Sequence, residues 1–363
     1  MAAAQVGRVT GAGLAANLRN HYPRELVWAL VALLVFANTV NITADIAAMG
    51  EALQLLVGGG EHGHALVIGL ALAAVQVWLP YARLAAVLKW LCLTLFAYFG
   101  VLFYVHVDWS SAIKGLVWPQ LAFDSATLTV VVAVLGTTIS PYLFFWQAAQ
   151  EVEEMRRKKR PPLLEDAASA AGALLRIRFD TVSGMVLSNA IALAIMLAAA
   201  ATLHTSGVVQ IETAVQAAEA LRPLAGQHAY ILFALGIIST GLLAVPVLAG
   251  SAAYAVAECF GWSGGPGLQL RQARGFYAIT VGATLAGTAL DFTPLDPIKA
   301  LFYSAVVNGV VSVPIMVLLV LLASNRAALG ALHLRGMPRA LAWAATLLVA
   351  AAVVFMLVTQ LRG

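Results

Sequence analysis

Along this chain apolar residues fall in long uninterrupted runs, and polar residues collect in the short intervals between them. A run of about 20 apolar residues makes a helix long enough to cross the hydrocarbon of a bilayer. Such a helix satisfies its own backbone where water cannot. The pattern predicts nine spans, at 25–57, 65–81, 84–107, 125–155, 179–203, 229–258, 275–292, 297–324 and 339–360. One interval differs from the rest: Glu151 to Gly172, EVEEMRRKKRPPLLEDAASAAG, is strongly hydrophilic, and adjacent Pro161 and Pro162 stop a helix. It reads as a linker, 151–172, within a single transmembrane domain of 1–363, with four spans before it (1–150) and five after it (173–363). A further segment with helical spacing, Glu212–Leu221 (ETAVQAAEAL), is expected on the surface between the fifth and sixth spans.

Composition strengthens this picture. Of the 363 residues 61% are hydrophobic and 10% charged, against about 25% charged in soluble domains, and the mean hydropathy is +0.89. The fold class is therefore all-α, a polytopic helical membrane protein whose main partner is the lipid bilayer. A net charge of +4 does not signal a nucleic-acid partner, because the basic residues are scattered between apolar runs. With the N-terminus in the cytoplasm, all 21 Lys and Arg except Lys114, Arg222, Lys299 and Arg362 fall on the cytoplasmic side. The expected setting is an inner membrane, with the C-terminus outside and the RRKKR run as a topology anchor.

Several chemistries are excluded. Cys92 and Cys259 lie inside one span and at the end of another, which argues against a disulfide or a thiolate metal cluster. No Walker loop or HExxH is present, so an enzyme is not expected. None of the seven histidines sits at mid-span, as a haem or quinone protein would need; His62 and His64 are expected to be solvated, and no cofactor is expected. Met1–Asn20 lacks the apolar core of a cleaved signal peptide.

The polar residues inside the runs are the informative ones. An interrupted helix in hydrocarbon is tolerated only where protein encloses it or it lines a cavity. The fourth span holds such an interruption at Leu135-Gly-Thr-Thr-Ile-Ser-Pro-Tyr142. Pro141 lacks an N–H and clashes with the Thr137 carbonyl, while Gly136 weakens the helix a turn earlier. The helix is predicted to split near Thr137 to Ser140. The freed carbonyls would suit a cation; a proline kink that serves shape alone is the other reading. In the first span Asn38, Asn41 and Asp45 share one face. The asparagines fit interhelical hydrogen bonding, whereas a buried carboxylate such as Asp45 needs a cation, donor or proton and fits an aqueous path. Glu51, nearer the end of the span, is expected to be solvated. In the eighth span Ser304, Asn308 and Ser312 recur every four residues beside Gly309, either lining a pathway or joining helices.

These residues align with a known family. Asn41–Gly59 (NITADIAAMGEALQLLVGG) is similar to the third helix of NRAMP transporters, and Leu135–Gln150 (LGTTISPYLFFWQAAQ) to their unwound sixth helix. The likeness continues through Phe179–Ile191, Phe233–Glu258 and Ala300–Met316, so that it covers nearly the whole chain. NRAMP proteins have the LeuT-like inverted-repeat fold and move Mn²⁺, Fe²⁺ and related ions, usually by proton symport. The resemblance implies a divalent metal cation as substrate, carried by alternating access around the break at Gly136 and Pro141. It implies Thr137, through its carbonyl, and Ser140 as metal ligands, directly or through water. Tyr142, Asp45, Asn41 and Asn308 fall on the gate or pathway, and a monomer is the expected unit.

Two departures from the family pattern shape this expectation. The family's sixth helix carries Met-Pro-His, where this chain has Ser140, Pro141 and Tyr142. Losing the soft thioether removes a bias toward transition metals, and a roomier oxygen-lined site suits reluctantly dehydrated Mg²⁺. The chain thus resembles the divergent branch that includes magnesium transporters, with Mg²⁺ or Mn²⁺ as the expected ion. Loss of the histidine, and Ala48 in place of the third helix's glutamate, alter the family's proton route. The second departure is at the start: VGRVTGAGLAANLRNHYPR resembles the loop after the family's second helix, so the first two helices and their Asp-Pro-Gly-Asn type motif are expected to be missing. The alternatives are a sodium-coupled amino-acid transporter of the same fold and a transport-inactive truncated membrane protein.

Overall fold

The structure is a computed structural model that describes residues 1–79, 86, 90, 92–119, 124–207, 211, 213–265, 267–293 and 296–362. Two short helices open the chain, α1 (Ala2–Thr10) and α2 (Leu14–His21). Next come α3 (Arg24–Val57), α4 (Glu61–Trp78), α5 (Ala97–Tyr104) and α6 (Trp109–Val117). The interrupted helix forms α7 (Ser125–Thr138) and α8 (Pro141–Lys158), and α9 (Ala170–Ala199) runs on through a π-helical turn at Ala200–His204. The chain then forms α10 (Ala214–Glu219), α11 (Arg222–Ala225), α12 (Ala229–Phe260), α13 (Arg274–Leu290), α14 (Pro297–Ala323), α15 (Arg326–Leu329) and α16 (Met337–Arg362).

Six described segments are long and apolar enough to cross a membrane: Arg24–Val57, Ser125–Lys158, Ala167–His204, Arg222–Phe260, Pro297–Ala323 and Met337–Leu361. They coincide with the first, fourth, fifth, sixth, eighth and ninth expected spans. Helices α4 and α13 occupy the second and seventh. Apart from Ala86 and Trp90, the third is described from its 3₁₀ turn at Cys92–Phe96 onward; its first residues, the end of the second span at Pro80 and Tyr81, and Arg83 and Lys89 lie outside the described residues.

Local chemistry sets the ends of these helices. Asp296 accepts from the amides of Ile298 and Lys299, and Pro297 occupies the first turn of α14, where a missing N–H costs nothing. Asp124 caps α7 through the Thr127 amide at 2.8 Å. Helix α8 ends at Lys159, which takes a left-handed conformation (φ 51°). The hydrophilic stretch therefore differs from the expected linker: Glu151–Lys158 is still helix, because its carboxylates and basic residues pair at helical spacing, as in Glu154–Lys158 at 2.6 Å and Glu153–Arg156 at 3.2 Å.

Helices α3 and α12 form the centre of the bundle, packed on each other and flanked by α4, α13 and α14. The two halves of the interrupted helix belong to different neighbourhoods. Helix α7 packs on α14 and α16 around Leu128, Val132, Met316 and Val353. Helix α8 packs on α1 and α12, placing Phe145 and Ala148 in a core with Val6, Val9, Leu14 and Leu18. The N-terminal segment expected as a loop is thus a pair of buried helices. Its Val6, Val9, Leu14 and Leu18 recur at helical spacing and seat it against α8 and α12, where Glu258 accepts from the amides of Ala15 and Ala16.

Two smaller expectations are corrected. The segment expected on the surface near Ala214–Leu221 is packed, with Ala214, Ala218, Ala220 and Leu221 buried beside α5, α9 and α12; Glu212 lies outside the described residues. Glu51 is half-buried, not solvated, because its Oε1 accepts from the Ala214 amide at the start of α10 at 2.8 Å.

Candidate functional site

The break falls where the sequence places it. Helix α7 stops at Thr138, Ile139 (φ −116°, ψ 72°) and Ser140 (φ −85°, ψ 133°) leave helical geometry, and Pro141 opens α8. Because Pro141 has no N–H, the Thr137 carbonyl loses the donor a continuous helix would supply. The neighbouring carbonyls find substitutes. The Ser140 hydroxyl donates to Gly136 O at 2.9 Å and reaches Thr137 O only at 3.4 Å. The Ile139 carbonyl accepts from the Ser312 hydroxyl of α14 at 2.5 Å. Of the Gly136, Thr137 and Ile139 carbonyls, that of Thr137 has the longest contact, beside the Ser140 oxygen, whose lone pairs remain available. The Thr137 hydroxyl donates back to Ala133 O.

Close packing holds this geometry. A side chain at Gly136 would place Cβ 2.0 Å from Ala305 O and 2.5 Å from Gly309 N, so α7 and α14 touch backbone to backbone. One residue from Gly309, Asn308 meets Asn41 of α3 in a reciprocal amide pair, at 2.8 and 2.9 Å. Asn41 also donates to Ala37 O within its helix. The polar stripe of α14 thus joins helices at two of its three positions, Asn308 and Ser312, while Ser304 bonds to Leu301 O of its own helix. Asn38 likewise bridges to Leu248 O and Ser251 of α12.

Asp45 lies one turn beyond Asn41 on the same face of α3 and is half-buried, with no hydrogen bond or ion pair among the described residues. Tyr142, in the first turn of α8, is half-buried between the core around α1 and the core that joins α3, α4, α12 and α13. The structure thus brings Asn41, Asn308 and the break together around α14. It leaves Asp45 a turn away on α3 and Tyr142 below the break. No group of three or more His, Cys, Asp or Glu able to hold a metal occurs among the described residues. Peptide, hydroxyl and amide oxygens, with Asp45 nearby, are what the break offers. The histidines in the first turn of α4 prove partnered: His62 meets buried Asp291 at 3.1 Å, and His64 meets Gly58 O at 2.6 Å.

Sequence reading singled out Ser312 as a stripe residue but not as the donor to Ile139. The two are 173 positions apart, and spacing within one helix cannot show what that helix faces.

This multi-pass helical bundle with its interrupted helix has a LeuT-like membrane fold. The structure agrees with the crystal structure of the Eremococcus coleocola manganese transporter in complex with an aromatic bis-isothiourea substituted compound. The TM-score is 0.71 at 16% identity, over 99% of this chain and 76% of that one. The chain belongs to the Nramp family, natural resistance-associated macrophage protein-like, whose profile it matches over residues 1–359. It is 29% identical over 243 residues to the divalent metal cation transporter MntH of Vibrio campbellii, covering 64% of this chain and 53% of that relative. With the protein of the same name from Aeromonas hydrophila it is 27% identical over 259 residues, covering 66% and 57%. The matched region thus spans little more than half the length of these relatives.

Proposed function

We propose that this chain carries divalent metal cations across a membrane by alternating access around the α7–α8 break. The observation that carries the proposal is the Thr137 carbonyl, stripped of its helical donor by Pro141 and reached only at 3.4 Å by Ser140. A partial negative charge held in the bilayer interior, with no ammonium or guanidinium hydrogen-bonded to it among the described residues, suits a cation. The names of the relatives, divalent metal cation and manganese transporters, point the same way. Thr137 and Ser140 then act as ligands, directly or through water. The Asn41–Asn308 pair borders the path, Asp45 draws cations toward it, and Tyr142 lies on the far side of the break. With oxygen donors and no thioether, the ion is Mg²⁺ or Mn²⁺. The N-terminus faces the cytoplasm, in keeping with the basic linker.

The test is uptake by liposomes that contain the purified full chain. Saturable Mn²⁺ or Mg²⁺ influx, reduced when Thr137 and Ser140 are substituted, is the expected result. Influx indistinguishable from protein-free liposomes for both ions would remove the reading.

A further inference from the structure

We propose that Ser312 is a positioning residue for the break. By fastening the Ile139 carbonyl to α14, it decides which peptide oxygens remain for a passing ion. The anchoring stands on geometry alone; its effect on ion handling rests on the transport reading above.

Serine in an apolar helix ordinarily turns its hydroxyl back onto its own preceding turn. Thr137, Thr138 and Ser304 do so in this protein. Ser312, fully buried, instead spends its hydroxyl on another element, 2.5 Å away at Ile139 O. Ile139 is the residue at which the backbone leaves the helix, so its carbonyl would otherwise stand beside that of Thr137 as a second open oxygen. The platform is rigid, because Gly136 and Gly309 bring the two backbones into contact and leave no side chain to yield. Ser140 covers Gly136 O from one side and Ser312 covers Ile139 O from the other. Thr137 O is left between them.

Discrimination among hard cations depends on the number and rigidity of oxygen ligands: Mg²⁺ demands a tight octahedral shell, and Ca²⁺ accepts a looser, larger one. A fastened Ile139 carbonyl keeps the ligand count low and the geometry fixed. Once released, it adds an oxygen on a mobile segment, which favours the larger ion.

Ser312→Ala deletes the hydroxyl and keeps the Cβ, while Ser312→Thr retains a donor. Amide hydrogen exchange of the full chain in nanodiscs should show about tenfold faster exchange at 138–143 in Ser312→Ala, with Thr restoring the wild-type rate and other helices unchanged. In liposomes, Ser312→Ala should raise KM for Mn²⁺ about tenfold, equivalent to about 1.4 kcal/mol, at nearly constant kcat, and should lessen discrimination against Ca²⁺. Should Ser312→Ala fail to fold, Ser312→Cys, a weak donor of similar size, replaces it in both measurements. Unaltered exchange at 138–143 overturns the anchoring. A fall in kcat with KM and ion preference unmoved overturns the positioning role. If the wild-type chain moves no metal, the transport reading falls, and the exchange measurement still decides whether Ser312 holds the break.

Discussion

The Asn41–Asn308 pair shows how much one side chain can hold in a bundle that cannot rely on water to drive its helices together. Each amide donates to the other's carbonyl, and Asn308 is 3% exposed. Asn41→Ala strands both hydrogen-bonding groups of Asn308, at about 1–3 kcal/mol for an unsatisfied buried amide. Replacing both residues by alanine removes the orphaned groups and should recover much of that loss; thermal unfolding of Asn41→Ala, Asn308→Ala and the double variant in detergent measures the coupling. A second residue-level expectation concerns Asp108, which caps α6 outside the expected spans. Hydrogen bonds from the Ser111 and Ser110 hydroxyls, and from both amides, lower its pKa to about 2. Because the folded value lies below the unfolded one of roughly 3.9, the cap is fully present above about pH 4. It is lost as pH falls through about 2. Amide exchange at Ser110 and Ser111 should accelerate over that window, and Asp108→Asn should flatten the dependence.

At the scale of helices, the decisive element is the one that does not continue. Pro141→Ala supplies an N–H to Thr137 O and lets α7 and α8 run together. Uptake is expected to fall at least tenfold, a loss of about 1.4 kcal/mol or more in transition-state terms, while the melting temperature holds or rises. Uptake and melting measured on one preparation check both halves of this expectation. Gly136 and Pro141 made the break legible in the sequence, but Gly241 with Pro246 and Gly309 with Pro314 have the same spacing inside the continuous helices α12 and α14, so the surroundings, Ser312 against Ile139 among them, complete it. Apolar run length made the long helices legible. Legibility failed where burial depends on distant partners. Ala2–Thr10 is too short and too weakly apolar to announce itself, yet Val6 and Val9 are fully buried because α8 lies against them. Glu51 read as a solvated end residue, for nothing near it in sequence reveals that α10 returns to meet it.

For the whole molecule, the allocation of neighbours matters more than any one contact. Helix α7 is bound to α14 by its glycine contact, and α14 is tied to α3 by the asparagine pair. Helix α8 is packed on α1 and α12, linked through Arg176 of α9 to Glu151 and Glu154 at 2.7 and 3.1 Å, and followed by a turn at Lys159. The residues between them, Ile139 and Ser140, lack regular helical geometry. In the transport proposed above, a chain joint of two residues between two firmly seated arms would serve as a pivot. Movement of one arm need not be transmitted to the other, so an entrance could widen on one face of the bilayer while the opposite face stays sealed, with the turning axis at the very oxygens an ion would visit.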